Sequence, residues 1–270
     1  CFPLNTYYSS NKCSKENNTS KQGDAKKMGQ YHQVVNMDKG FFYSPQSLGN
    51  GNKLLEQAMS FNSTAALALL LADGWNGERV FLVGDYVEEN DINGVDNAVK
   101  FYQEDMDSYK NVGWLARKVL KDNTGMELVK DSFKIQGMDG NITTLHNYHS
   151  EAVAGLEFVE DDHGDFIAQG SALDHLDDNE VMAFVNYDTK EKYVGAGRTM
   201  RQIVQYFGGD VMTAAFILIA GSAKGGARGG GDADKELAGT WAGDRVGIIP
   251  DKDAQDFVDI TMDLGDVKNI

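Results

Sequence analysis

Cysteine is scarce in this chain: the sequence has 2 cysteines, Cys1 and Cys13, and both lie in a polar N-terminal stretch. The rest of the sequence therefore cannot form a disulfide framework or a thiolate-bound metal centre. In an oxidising compartment Cys1 and Cys13 can form a disulfide that closes a short loop. The alternatives are two free thiols, or a lipid-modified Cys1 at the processed terminus of an exported protein.

Basic residues are also few, since 25 lysines and arginines face 41 aspartates and glutamates and the formal net charge is -16. Such a charge repels phosphate backbones and anionic lipid headgroups, so the sequence argues against nucleic-acid binding. It favours solubility and the attraction of divalent cations to acid-rich loops. One hypothesis that follows is an acidic inhibitor or neutralising partner of a basic protein.

Long apolar runs are absent from the sequence. The longest, residues 65–72 and 214–220, are far shorter than the roughly 18 residues that a membrane helix requires, so no membrane span is predicted. Glycosylation sequons are present, and together with the cysteine pair they favour a secreted, extracellular protein. The sequons begin at Asn17, Asn18, Asn62 and Asn141.

Residues 1–30 are polar and aperiodic, and beyond the first few positions they contain no apolar run that would favour a packed structure. We therefore predict a polar N-terminal arm. An arm that reaches a neighbouring copy makes an open, heterologous contact, which predicts a homo-oligomer or a filament.

Residues 31–122 predict a first structural unit. The stretch YHQVVNMDKGFFYS is typical of two short strands joined by a turn near Asp38 and Gly40. Residues 53–74 have helical apolar spacing with a break at 60–62, and the stretch RVFLVGDYV that follows is typical of a buried strand. Residues 95–122 carry an apolar stripe that predicts one helix.

Three blocks of this unit recur later in the chain in the same order. VNMDKGFFYS at 35–44 matches VNYDTKEKYV at 185–194, residues 53–74 match 201–222, and WNGERVFLVGD at 75–85 matches WAGDRVGIIPD at 241–251. The offsets are 150, 148 and 166 residues, which predicts an 18-residue insertion in a glycine-rich loop of the second copy. Asn62 aligns with Asp210, and both are suitable N-cap residues for the helix that follows.

These observations predict an α+β protein with two diverged ββαβ-like repeat units, at residues 31–122 and 181–270. Residues 123–180 have strand-like alternation and hairpin signals at 139–140 and 163–164, which predicts a β-rich insert between the units. The alternating stretch DFVDITMDLGD near the C-terminus predicts an edge strand.

The shared pattern resembles a small domain of predicted bacterial, phage and fungal proteins with V-N-x-D-K, an apolar block, a glycine-rich stretch, W-A-G-D-R-[VI] and G-D-Y. The resemblance implies a tandem duplication of a domain with no assigned activity, and it does not extend to residues 1–30 or 123–180. The first copy has Asn76 and Glu78 where the pattern has Ala and Asp. The second has Thr189 in place of the lysine and lacks G-D-Y, so neither copy is complete.

The two tryptophan phrases have a structural and a functional interpretation. In the structural one, the indole fills a core corner, the glycine permits a tight turn, and a carboxylate pairs with Arg79 or Arg245. In the functional one, Trp75 with Arg79 and Trp241 with Arg245 stack on and clamp a planar or anionic ligand in a groove between the units.

Other constellations give only weak signals for chemistry. The glycine-rich loop 221–231 lacks the P-loop pattern, and His146, His149 and Glu151 lack metalloprotease spacing. No catalytic set is identified, and Ca²⁺ is the one cofactor for which the sequence offers candidate ligands. These ligands are the carboxylates of two acid-rich loops: Asp161, Asp162, Asp165, Asp174, Asp177 and Asp178.

The hypothesis that these features favour most is a non-enzymatic, secreted binding or structural protein that self-assembles through its arm. It is favoured because the polar arm and the internal repeat are clear in the sequence, whereas the sequence does not identify a catalytic group. The alternatives are an enzyme or small-ligand binder with a site between the repeat units, and the acidic partner of a basic protein.

Overall fold

The computed structural model describes residues 31–136, 142–151, 156–160, 166–206, 210–221 and 238–261, which form an α+β fold. The helices are α1 (Leu54–Ala58), α2 (Phe61–Ala72), α3 (Ala98–Gln103), α4 (Gly113–Thr124), α5 (Met200–Gln205) and α6 (Asp210–Leu218). The strands are β1 (His32–Asn36), β2 (Phe41–Tyr43), β3 (Glu78–Gly84), β4 (Lys110–Asn111), β5 (Glu127–Gln136), β6 (Ile142–Glu151), β7 (Glu157–Glu160), β8 (Phe166–Gln169), β9 (Met182–Asn186), β10 (Glu191–Tyr193), β11 (Ala220–Gly221), β12 (Arg245–Pro250) and β13 (Val258–Asp259).

The main sheet has 9 strands in the order β13-β10-β9-β12-β3-β1-β2-β4, with β11 paired beside β3. It is mixed: β2–β4, β3–β11 and β10–β13 are parallel pairs, and the other neighbours are antiparallel. The strands of both predicted units therefore lie in one sheet. The halves meet where β3 pairs with β12, and Arg79 lies opposite Arg245 at that junction.

The two halves of the main sheet pair their strands in the same way. The order is β2-β1-β3 in the first half and β10-β9-β12 in the second. Asn36 of β1 lies opposite Val80 of β3, and Asn186 of β9 lies opposite Val246 of β12. Two helices precede the third strand of each half, α1 and α2 in one and α5 and α6 in the other. Descent from one duplicated unit stays a prediction, because a shared register does not establish ancestry.

Alternation along β3 places its side chains in two cores on opposite faces of the sheet. Val80 and Leu82 belong to the larger core, which includes side chains of α1, α2, α4, α5 and α6. Phe81 and Val83 belong to a second core that α3 covers. In the second half of the sheet a smaller core around Phe257 covers the face opposite the larger core.

Three local predictions for residues 31–84 agree with the structure. The predicted hairpin is formed by β1 and β2, and Gly40 in its turn has a φ of 63°, a conformation that favours glycine. The helical block is broken as predicted, since α1 ends at Ala58 and α2 begins at Phe61. The buried strand predicted for the stretch RVFLVGDYV is β3.

The prediction that Asn62 is an N-cap is wrong. Ser60 occupies the N-cap position of α2, and Asn62 lies inside the helix, where its Nδ2 donates to the carbonyl of Leu48 at 2.9 Å. Asn62 is 7% exposed, so this bond satisfies a buried amide and links α2 to the 3-10 turn at Pro45–Leu48. The side chain of Asp210 is outside the described part of the structure.

The single helix predicted for residues 95–122 is also wrong. This segment contains α3, a 3-10 turn at Asp105–Ser108, the short strand β4 and most of α4. The apolar residues of this segment belong to two different cores. Phe101 packs in the core that α3 covers, whereas Val112 and Leu120 pack in the larger core on the other face of the sheet. A straight helix cannot reach both faces of a sheet, so the chain breaks and passes round the sheet edge at β4.

The predicted β-rich insert contains β5 to β8, which form two antiparallel hairpins, each a 2-stranded sheet. The predicted turns at 139–140 and 163–164 are outside the described residues. The predicted C-terminal edge strand is confirmed for β13, which pairs with β10 at the end of the main sheet. None of the helices in the described ranges combines the length and hydropathy needed to cross a bilayer.

Candidate functional site

A buried asparagine organises the turn after the first strand of the second half. The Oδ1 of Asn186 accepts hydrogen bonds from the backbone N–H groups of Asp188 and Thr189, at 2.9 and 3.1 Å. Its Nδ2 donates to the carboxylate of Asp244 at 2.8 Å. Because Asn186 is 0% exposed, these bonds satisfy a buried amide and join the N-x-D segment to the second tryptophan phrase.

The first half has a similar arrangement. The Oδ1 of Asn36 accepts from the backbone N–H of Lys39 at 3.0 Å, and its Nδ2 donates to Glu78 at 2.5 Å. The Lys39 ammonium also bonds to Glu78 and donates to the carbonyl of Gly74 at 2.9 Å. In each half the acidic residue that precedes the arginine is therefore held by the asparagine of the N-x-D segment.

The arginine of each tryptophan phrase pairs with the aspartate of the N-x-D segment. The Nε of Arg79 donates to Asp38 at 2.7 Å, and the Nε of Arg245 donates to Asp188 at 2.8 Å. Partial burial raises the pKa of Asp38, but the hydrogen bonds and the charge of Arg79 outweigh burial and hold this pKa below its ordinary value. The hydrogen bond from Arg245 is the main cause of the lowered pKa of Asp188.

Each tryptophan fills a corner between a helix end and the sheet. Trp75 and Trp241 are each 1% exposed. The backbone N–H of Trp75 donates to the carbonyl of Leu70 at 2.8 Å, and that of Trp241 donates to the carbonyl of Leu218 at 2.9 Å. The glycine two positions later has a φ of 77° in the first half and 92° in the second, which explains why a glycine is needed there.

The structure brings the two arginines of the predicted ligand site together but encloses the tryptophans. Arg79 and Arg245 lie opposite each other, their side chains are 37% and 54% exposed, and both are bonded to aspartates. Neither Trp75 nor Trp241 presents a ring face to solvent, so neither can stack on a ligand in this conformation. This geometry matches the structural interpretation of the tryptophan phrases.

The two corners differ at the indole N–H. The Nε1 of Trp241 donates to the carboxylate of Glu191 at 3.0 Å, and Glu191 also accepts from the hydroxyl of Thr189 at 2.8 Å. Phe41 stands at the corresponding position of the first half, where it offers no acceptor. Within the described part of the chain the Nε1 of Trp75 has no hydrogen-bond partner.

An open cleft of about 440 Å³ lies against the first of these corners, and we call it the Trp75 cleft. Its volume is in the range of small-molecule sites in proteins, roughly 300–1,000 Å³. The walls come mainly from α2 and α4, with additional side chains from the β1–β2 turn, β2 and α5. The cleft is lined by Lys39, Phe41, Leu69, Leu70, Ala72, Asp73, Gly74, Trp75, Leu115, Val119, Asp122, Asn123 and Met200.

Three charged side chains border the Trp75 cleft, and two of them have partners of opposite charge. Lys39 is paired with Glu78, and Asp122 is paired with Lys118 on the same helix. The third, Asp73, is exposed and directly follows α2. Its carboxylate has no ion pair or hydrogen bond with any residue that the structure describes.

The structure describes three of the six candidate calcium ligands. The other three, at positions 161, 162 and 165, are outside the described residues, so Ca²⁺ binding stays a prediction. Within the described ranges no group of three or more histidine, cysteine or acidic side chains is placed to hold a metal ion. Each described carboxylate instead accepts a hydrogen bond from a nearby residue: Asp174 from Arg201 at 2.9 Å, Asp177 from Asn179 at 2.8 Å and Asp178 from Thr199 at 3.0 Å.

Several other predicted features also lie outside the described part of the chain. They include the arm with Cys1 and Cys13, most of the glycine-rich loop 221–231, and the side chains of His146, His149 and Glu151. These features stay predictions.

The residues that line the Trp75 cleft cannot be assembled from the sequence, because they come from elements that are far apart along the chain. The one sequence signal is the mismatch of Phe41 with Glu191 between two otherwise similar blocks. Comparisons of the chain with models of protein families, with curated proteins and with solved structures found no match.

Proposed function

We propose that this protein is a non-enzymatic binding protein that holds a small, mainly apolar ligand in the Trp75 cleft. The observation that carries the proposal is the cleft itself, in which leucine, valine and aromatic side chains of α2, α4 and β2 border a volume of about 440 Å³. Apolar surface removed from water favours association by about 25 cal/mol per Å². A concave apolar site with a few polar groups at its border is the usual form of a small-molecule site.

The pairing of the charged groups in the tryptophan phrases supports a binding role over a catalytic one. Asp38 and Asp188 are bonded to arginines, and Glu78 and Asp244 are bonded to asparagines. A general base or a nucleophile must reach the substrate, and these carboxylates are already engaged in holding the turns. An enzyme site between the halves therefore has less support than the Trp75 cleft.

Secretion and self-assembly through the arm are further proposals, and they rest on the sequence. The sequons at Asn17, Asn18 and Asn141 and the cysteine pair support secretion, whereas the Asn62 side chain is buried. The polar arm at residues 1–30 supports assembly. The polar arm also supports the hypothesis of a structural role. The acidic-partner hypothesis is supported by the net charge of -16.

Titration of the protein with 2-phenylethanol tests the proposed function. We expect saturable binding with a Kd of about 1 mM, because small ligands of this kind gain roughly 4 kcal/mol in a matched apolar site. The variant Val119→Trp places an indole in the cleft from α4 and is expected to abolish binding. Saturation-transfer NMR with the ligand measures both affinities.

The matched control is Lys121→Trp, which adds the same side chain at an exposed position of α4 that does not line the cleft. This variant is expected to bind like the wild type, and circular dichroism checks that both variants fold. Unchanged binding by a folded Val119→Trp variant would place the ligand elsewhere and would contradict the proposal.

A further inference from the structure

We infer that the Trp75 cleft selects an organic monocation, a molecule in which one ammonium-like charge is attached to an apolar body. The inference rests on the proposed function and names the class of its ligand. It is drawn from three features of the cleft: the C-terminal end of α2, a carboxylate with no partner among the described residues, and an apolar lining.

The C-terminal end of α2 lies at the cleft, where its last turn contributes Leu69, Leu70 and Ala72 to the lining. Helix α4 instead runs along the cleft from Leu115 to Asn123, and Lys121 in its last turn offsets the charge of its own C-terminal end. The C-terminal end of a helix carries a partial negative charge of roughly half an electron, which favours cations nearby. No basic residue lies in the last turn of α2, and the Lys39 ammonium that donates to the carbonyl of Gly74 beyond the helix is itself paired with Glu78.

The carboxylate of Asp73 adds a full negative charge at the border of the cleft. The other two charged groups there, Lys39 and Asp122, already have partners of opposite charge. Asp73 has no such partner among the residues that the structure describes. The net charge of -16 further raises the local concentration of cations around the protein.

The lining of the cleft favours an organic cation over a metal ion. Calcium and magnesium ions require six or more oxygen ligands at short distances, and such a set is not present where Leu69, Leu115 and Val119 form the walls. An ammonium group on an apolar body satisfies both parts of the site, because its charge lies at the acidic border while its body is buried against these side chains.

A matched series of three probes tests the inference: 2-phenylethylammonium, 2-phenylethanol and 3-phenylpropionate, which share the phenylethyl body and differ in charge. We expect the ammonium compound to bind about tenfold more tightly than the alcohol, which corresponds to about 1.4 kcal/mol. The carboxylate is expected to bind most weakly. Asp73→Asn should reduce the ammonium preference about threefold, whereas Asp122→Asn should change it less because Asp122 is already paired.

The outcomes separate the inference from the proposed function. Tighter binding of the ammonium probe, reduced by Asp73→Asn and by added salt, supports both. Equal binding of the ammonium and alcohol probes overturns charge selection and leaves the apolar cleft as a site for neutral molecules. Failure of all three probes to bind overturns the proposed function together with the inference.

Discussion

Replacing Trp241 by alanine is expected to lower the free energy of unfolding by about 3–5 kcal/mol, because it removes a large, fully buried side chain and leaves a cavity. Trp241 is 1% exposed and packs on Phe184 with ring centroids 5.0 Å apart. Trp75→Ala is expected to cost slightly less, since the indole N–H of Trp75 has no partner among the described residues, whereas that of Trp241 loses its bond to Glu191. Urea unfolding at neutral pH measures both values.

The chain offers its own control for this prediction. Trp114 is 52% exposed at the start of α4, so Trp114→Ala is expected to change the free energy of unfolding by less than about 1 kcal/mol. The three variants remove the same side chain and differ in its burial. A loss of unfolding free energy for Trp114→Ala as large as that for Trp241→Ala would show that burial of the indole does not determine this loss. It would thereby contradict the account of Trp75 and Trp241 as fillers of equivalent buried corners.

A fall in pH from 7 to 4 is expected to cost about 3 kcal/mol of folding stability through His32 alone. His32 is 0% exposed on β1, and burial lowers its pKa from 6.5 to about 4, with a smaller opposing effect of the Asn52 carbonyl. The unfolded chain therefore binds a proton below pH 6.5 that the folded chain does not bind until about pH 4. The stability due to neutral His32 is present above pH 6.5 and is lost as the pH falls towards 4.

The variant His32→Phe isolates this effect, because it keeps a buried ring of similar size and removes the titrating group. Urea unfolding of both proteins from pH 7 to pH 4 should give a difference that changes by about 3 kcal/mol over this range. The lowered pKa values of Asp38 and Asp188 contribute stability that is lost mainly below their ordinary value of 3.8, outside this window. Parallel pH profiles for the two proteins would contradict the burial of neutral His32.

The part of the fold that the sequence predicts is the part that local patterns determine. The β1–β2 hairpin follows from β-branched and aromatic residues around a turn glycine, and the break between α1 and α2 follows from the polar residues near Ser60. The recurrence of the N-x-D segment and of the acid–arginine pair is visible in the sequence, but the hydrogen bonds of Asn36 and Asn186 that join these two segments are seen only in the structure.

The features that the sequence does not predict depend on contacts between distant residues. Nothing in residues 95–122 shows that Phe101 and Leu120 pack on opposite faces of one sheet, and the apolar stripe therefore indicates one helix where the structure has two. The pairing of β3 with β12 is also not predicted, because the alternation of residues in a strand does not identify the strand with which it pairs. The Trp75 cleft is lined by side chains of α2, α4 and α5, and only the tertiary fold brings these helices together.

The difference between the two corners links stability to the proposed function. In the second half a carboxylate, Glu191, closes the corner by accepting from the indole of Trp241. In the first half Phe41 replaces this carboxylate and contributes an apolar wall to the cleft. The same local architecture thus gives a closed structural corner in one half and, in the other, an apolar wall of the cleft that we propose as a binding site.

The indole N–H signals of Trp75, Trp114 and Trp241 in one ¹⁵N-labelled sample test this account most directly. We expect the indole N–H of exposed Trp114 to exchange fast with solvent and those of buried Trp75 and Trp241 to exchange slowly. On titration with 2-phenylethylammonium only the Trp75 signal should shift to saturation. Fast exchange at Trp75 or Trp241, or a saturating shift at Trp241 with none at Trp75, would contradict the account.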